Sequence, residues 1–167
     1  MNNRLTLGAG VVVIGGLAFG LMAGCASKSM SGMGSGDVVA ERQRLMKLQG
    51  ASWMDIQAKA KAGNIEAIAV NAETLAMTAQ QIPKLFPEGS LTDKSKAKPD
   101  IWQKWPEFQA AAKNLENRAA TLRDQAVAKD GAAVTTNVAT FGREACGTCH
   151  TPFRVPPPQQ QPAQPRS

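Results

Sequence analysis

Residues 134–150 read VTTNVATFGREACGTCH. Val134, Val138, Phe141 and Ala145 recur at spacings of four and three, the period of a helix with one apolar face. The stretch closes on Cys146, Cys149 and His150. On a helix, residues i and i+3 share a face. Two thiols there can form thioethers to the two vinyl groups of one porphyrin, and the next residue presents an imidazole to its iron. Cys-x-x-Cys-His is the pattern of covalent c-type haem attachment. One such motif implies one covalent haem c per chain, carried by the last helix, with His150 as the axial iron ligand.

Upstream of this helix the chain shows three more. The first runs from Asp37, a candidate N-cap, to about Lys61. It places Val39, Met46, Trp53 and Ala60 seven residues apart, with Leu45 and Ile56 beside them. Gly63-Asn64 breaks the chain. Ile65, Ile68, Ala72, Leu75, Ala79 and Ile82 then make one apolar face of a helix over 65–82, which Pro83 ends. A long connection follows, with Pro87, Gly89 and Pro99. Loops of that length in compact domains are often functional. The third helix begins near Pro99 or Trp105 and runs to Lys129, with Trp105, Phe108, Ala112, Leu115, Ala119, Leu122 and Ala126 inward. Asp130 and Gly131 break the chain and cap the fourth. No strand pattern competes, and the chain has no tyrosine. The fold class is therefore all-α, an antiparallel four-helix bundle with covalently bound haem near the C-terminal helix. The many alanines limit the apolar area each helix can bury. An enclosed prosthetic group would supply the missing core volume.

The ends of the 167-residue chain stand apart from this bundle. Arg4 and the apolar run Leu5 to Met22 read as a signal peptide over 1–24. Leu21-Met22-Ala23-Gly24-Cys25 resembles a bacterial lipoprotein cleavage site, with lipid placed on Cys25, although Met22 stands where leucine is more usual. An ordinary secretory signal is one alternative and a retained membrane helix is another. Every version puts the folded part outside the cytoplasm. The expected location is the periplasm, tethered to a bacterial membrane through Cys25. Residues 25–36, rich in Ser, Gly and Met, read as a flexible tether. The domain spans 37–155. The Pro- and Gln-rich residues 156–167 read as a disordered tail.

Composition narrows the chemistry. The chain has 19 Lys+Arg against 13 Asp+Glu, a net charge of +6. No basic run interleaves with the few aromatics, which argues against nucleic acid as a partner. A mild positive surface could steer an acidic redox partner. A zinc site needs about four ligands, and the chain has one histidine and three cysteines, Cys25 being remote. A thioredoxin-like site would need a preceding strand. A Cys146–Cys149 disulfide is the remaining rival. Because His150 is the only histidine, bis-histidine ligation is excluded. No methionine follows His150, so any sulfur ligand comes from upstream. Met46 is the best placed and the candidate sixth ligand. Met54 and Met77 are further candidates, and Met30 and Met33 sit in the tether.

Ordered landmarks then resemble a known family, the cytochromes c′, or class II cytochromes c. They are Arg42-Gln43-Arg44-Leu45-Met46-Lys47, Phe86-Pro87-Glu88-Gly89-Ser90, Lys98-Pro99-Asp100-Ile101-Trp102, Phe108, and Cys146 to His150 followed by Phe153-Arg154. The resemblance spans about Val38 to Arg154. It implies a four-helix bundle, often a homodimer, with haem near one end. It places Arg42 and Gln43 by the haem propionates, Arg42 having the alternative of an exposed helix charge. It puts Lys98 in a loop bordering the haem edge, and Arg154 on the proximal side near His150. Thr151-Pro152 departs from the family's usual acidic pair there, and Pro152 is expected to end the local helix early. Met46 falls at the family's distal position. Typical members carry an apolar side chain there over a five-coordinate, high-spin iron that admits NO and CO. In low-spin relatives a methionine from this helix bonds the iron.

The reading that follows is an electron-transfer haem protein exchanging with a redox partner protein, with a five-coordinate site open to NO and CO. One alternative is a six-coordinate electron-transfer cytochrome with Met46 as sixth ligand. Another is a nitric-oxide-buffering protein. Enzymatic peroxidase chemistry would use a distal acid–base group such as histidine, and none is available, so the chain reads as a non-enzyme.

Overall fold

The computed structural model describes residues 35–157, with side chains from residue 38. The expected signal segment, Cys25, almost all of the tether and the tail beyond residue 157 lie outside the described residues.

Four helices carry the fold. They are α1 (Ser35–Lys61), α2 (Ile68–Ala79), α4 (Trp105–Val127), and a last column made of α5 (Gly131–Phe141), a π-helical turn (Gly142–Cys146) and α6 (Gly147–Phe153). A single helical turn, α3 (Asp100–Gln103), precedes α4. The described residues hold no strand, only one isolated antiparallel bridge between Ala97 and Arg154. None of their helices is long and apolar enough to cross a membrane.

The apolar spacings become the core. Ile68, Ala72, Leu75, Ala79 and Ile82 are buried against Phe108, Ala112, Leu115, Ala119, Leu122 and Ala126. Small side chains along this seam let the two backbones approach, and α2 with α4 forms the most extensive helix pairing of the bundle. α1 packs on α2 and α5 on α4, whereas α1 and α5 meet far more sparsely. The bundle is thus tight on one side and parted on the other. Trp53 of α1 bridges the parting at one level by stacking on Phe141, with ring centroids 4.9 Å apart.

Element ends depart from the sequence expectations for local reasons. α1 begins at Ser35, so Asp37 is a helical residue and not its N-cap. α2 is shorter than 65–82. Hydrogen-bonded turns flank it at Ile65–Ile68 and Thr78–Ile82, and Pro83 opens a 3-10 turn instead of ending the α-helix. Both proposed starts of the third helix exist. Pro106 has no N–H to donate to the Trp102 carbonyl, so the chain breaks at Lys104 and restarts at Trp105. Asp130 caps α5 as expected, its side chain accepting from the Ala133 amide at 2.9 Å. Pro152 does not end α6, which runs through it to Phe153.

Candidate functional site

A cavity of about 580 Å3 occupies the parting between α1 and the last column. The α1 stripe supplies Val39, Met46, Gln49 and Trp53. The bundle floor supplies Leu75, Ile82, Phe108 and Leu115. The last column supplies Ala145, Cys146, Cys149, His150 and Phe153. An aromatic wall closes one side: Phe108 packs edge-on against Phe86 (4.8 Å) and Phe153 (5.4 Å), with Trp105 at 5.5 Å.

The last column is shaped to present the motif. The wider π turn carries Cys146 as its final residue, and Cys149 and His150 follow on α6. π turns recur at functional sites because they re-aim the residues that follow. α4 ties this one in place. Asn114 donates to the Glu144 carbonyl at 2.6 Å, and the Arg118 guanidinium meets the Glu144 carboxylate at 2.8 Å. Cys146 and Cys149 are not joined to each other. Burial raises both thiols, and Cys149 is pushed up to about 11 with help from Cys146. Reactive redox thiols typically have lowered pKa values, and burial shifts these two the other way. Partial desolvation and, secondarily, the Arg154 guanidinium lower the pKa of His150. Both effects favour the neutral imidazole, the form that ligates metals.

The other residues singled out from the sequence divide. Met46 lines the cavity, whereas Met54 and Met77 point to solvent. Gln43 lines it at the mouth and donates to the Lys94 carbonyl at 3.2 Å. Arg154 lines it on the His150 side. Arg42 lines it but is buried, so the exposed helix charge is ruled out. It donates to the Leu85 carbonyl and to both the carbonyl (3.1 Å) and hydroxyl of Ser90, and stacks on Phe86 at 4.1 Å from the ring centroid. Its first duty is therefore to hold the long loop against α1. Lys98 lies in the expected bordering loop, its amide donating to the Phe153 carbonyl at 2.9 Å, and of that loop's lysines it is Lys96 that lines the cavity. Trp53 also went unselected, although its place seven residues after Met46 put it on the same stripe. Ser90 gave no such signal beyond its position in a loop motif.

These residues fit a haem. Two thiols and one imidazole converge on a single cavity with apolar walls, and its volume lies in the ~300–1,000 Å3 range of cofactor pockets. A second, more open groove of about 460 Å3 between α4 and α5 contains none of these groups.

Comparison with known proteins agrees. The family model described as "Cytochrome C'" matches residues 37–154. A cytochrome c-556 of Agrobacterium fabrum is 35% identical over 120 residues, covering 70% of this chain and 80% of that protein. A cytochrome c′ of Pararhodospirillum photometricum is 37% identical over 92 residues, covering 54% and 72%. Among solved structures, the cytochrome c′ of Thermochromatium tepidum superposes with a TM-score of 0.68 at 22% identity, covering 74% of this chain and 98% of that one. A cytochrome c′ described as having ligand-controlled dimer dissociation gives 0.68 at 24% identity, covering 75% and 99%.

Proposed function

The chain belongs to the cytochrome c′ family and carries a covalent haem c through Cys146 and Cys149, and from that premise we propose that it is an electron carrier whose five-coordinate iron also admits NO and CO. The observation that carries the reading is the convergence of Cys146, Cys149, His150 and Met46 on one cavity of otherwise largely apolar lining. Haem, when bound, supplies the one-electron iron couple.

The rest is the work of this chain. Cys146 and Cys149 would hold the group at two points, and His150 beside them would ligate its iron. The lowered pKa of His150 favours the neutral imidazole that would ligate the iron. Leu75, Ile82, Phe108 and Leu115 exclude water from the inner end, which limits the solvent that must reorganise when charge changes. Met46 crowds the α1 side, leaving room for small uncharged ligands. Among the described residues, the lining contains no carboxylate and no imidazole besides His150. That supports a carrier in preference to an enzyme, since neither a second histidine nor a carboxylate, the side chains that most often move protons, faces the site.

A second reading has its own observation. Among the described residues Met46 is the one methionine of the lining, so its sulfur is the candidate sixth ligand. Absorption spectra of the ferric, ferrous and CO-treated protein decide. A high-spin ferrous form that takes up CO supports the first reading. A stable sulfur-to-iron charge-transfer band in the ferric form assigns the second. If the site buffers nitric oxide in the cell, deletion of the gene sensitises cells to NO. We further propose a periplasmic location with lipid on Cys25. Palmitate labelling of the native protein, lost in Cys25→Ser, tests that placement. Self-association, tested by sedimentation with and without CO, is proposed from the family's habit.

A further inference from the structure

Three short segments meet at the cavity mouth: residues 43–47 of α1, residues 94–98 of the long loop, and residues 150–155 around the end of α6. The Gln43 side chain donates to the Lys94 carbonyl at 3.2 Å, and the Val155 amide to the Lys96 carbonyl at 2.8 Å. None of the three contains an Asp or Glu. They bring together Lys47, Lys94, Lys96, Lys98 and Arg154, and Lys47, Lys96 and Arg154 line the cavity itself. Among the described residues none of these five has a carboxylate partner. The ion pairs of the domain lie elsewhere, apart from Arg44 with its own neighbour Glu41. Acids flank these segments at Glu41, Asp93 and Asp100, yet none pairs with the five cations, three of which line the haem cavity. Two haem propionates would offset only part of that charge.

We infer that this rim is the docking face for the redox partner, and that the partner presents an acidic surface to it. The inference rests on the electron-transfer reading above. Charge complementarity at such a face raises the encounter rate and orients the pair with the electron's exit facing the partner. It acts over roughly 8–10 Å at physiological salt, which makes it salt-dependent.

The experiment follows oxidation of the ferrous holoprotein, one electron per molecule, by hexacyanoferrate(III), an anion, and by tris(phenanthroline)cobalt(III), a cation. The anion's rate constant should fall as salt rises, and the cation's should not. At low salt, Lys47→Glu with Lys96→Glu should slow the anion by about tenfold, the lower end of electrostatic steering effects. Lys61→Glu with Lys113→Glu changes the net charge equally, away from the mouth, and should leave that rate nearly unchanged. Equal slowing in both double variants, or no dependence on salt, overturns the docking face. Failure of both complexes to oxidise a ferrous protein that still binds CO removes the electron-transfer reading, and this inference with it. Sedimentation with phosphatidylglycerol vesicles, lost only in the Lys47/Lys96 variant, would assign the rim to lipid and also overturn the acidic protein partner.

Discussion

Buried in the cavity wall, the Arg42 guanidinium directs its hydrogen bonds to a loop that begins more than forty residues later in the chain. Gly89, at φ +73°, turns the backbone so that Ser90 faces inward to meet it. The Ser90 hydroxyl accepts from Arg42 and donates to the Pro87 carbonyl. Ser90→Ala leaves a charged, buried donor without that acceptor, and hydrogen bonds to charged groups contribute ~1.5–3 kcal/mol. Denaturant unfolding of the holoprotein should show a loss of that order. An unchanged midpoint would mean that water or a propionate replaces the hydroxyl. Met46 gives the second prediction at this scale. If it packs over the iron without bonding, Met46→Leu leaves the high-spin ferric spectrum in place, because leucine has similar volume. If the sulfur is bonded, the same change converts a low-spin spectrum to a high-spin one. Cys146, Cys149 and His150 were legible in the sequence because their chemistry is local, three side chains within one helical turn. Arg42's anchoring role and the place of Lys96 in the cavity wall were not. Both depend on how a loop pairs with segments far away in the chain.

Among the elements, α1 and α4 end in the same way with different residues. In each, the second residue beyond the helix adopts left-handed backbone: Gly63 at φ +73° and Lys129 at φ +58°. The paired bonds of a Schellman cap follow. They run from Asn64 to Lys59 and Gly63 to Ala60, and from Asp130 to Gln125 and Lys129 to Ala126, all at 2.9–3.1 Å. A side chain in this conformation costs ~1–2 kcal/mol, so Gly63→Ala should destabilise the protein by about that amount. Lys129→Gly should instead raise the melting temperature by a few degrees. The ion pair it forfeits with Glu66 is largely exposed and contributes little. Calorimetry that orders the two variants the other way would refute the strain argument. Helix faces were readable because burial repeats every three or four residues along each helix. Helix ends were less so. The break at Gly63 announces itself by residue type, whereas the Lys129 cap does not. The π turn at Gly142–Cys146 is invisible to periodicity, since Val134, Val138, Phe141 and Ala145 keep a regular spacing through it.

At the scale of the whole molecule, the two halves of the bundle differ in what closes them. α2 and α4 are zipped by alanines and buried leucines from end to end. α1 and the last column face each other across a cavity of about 580 Å3, with Trp53 on Phe141 as the chief aromatic contact over the gap. An enclosed group bonded to one wall and packed on the other would complete the missing contacts and favour the folded state by mass action. Cys146→Ser with Cys149→Ser removes the attachment points without adding bulk. In that variant the α2–α4 pair should keep its amide protection, since Ile68, Ala72, Ala79, Ala119, Leu122 and Ala126 of its core lie away from the cavity. The exposed side should open locally at low free energy. Hydrogen exchange should therefore show fast amides over residues 38–53 and 142–154, slow amides in the middle of α2 and α4, and a lower melting temperature than the haem-bearing protein. Uniform protection equal to that of the holoprotein would mean that the bundle closes its own parting, and that the haem adds chemistry to a fold already complete without it. The predicted asymmetry instead makes the prosthetic group part of the core, and ties the stability of α1 to the thioethers on the far side of the cavity.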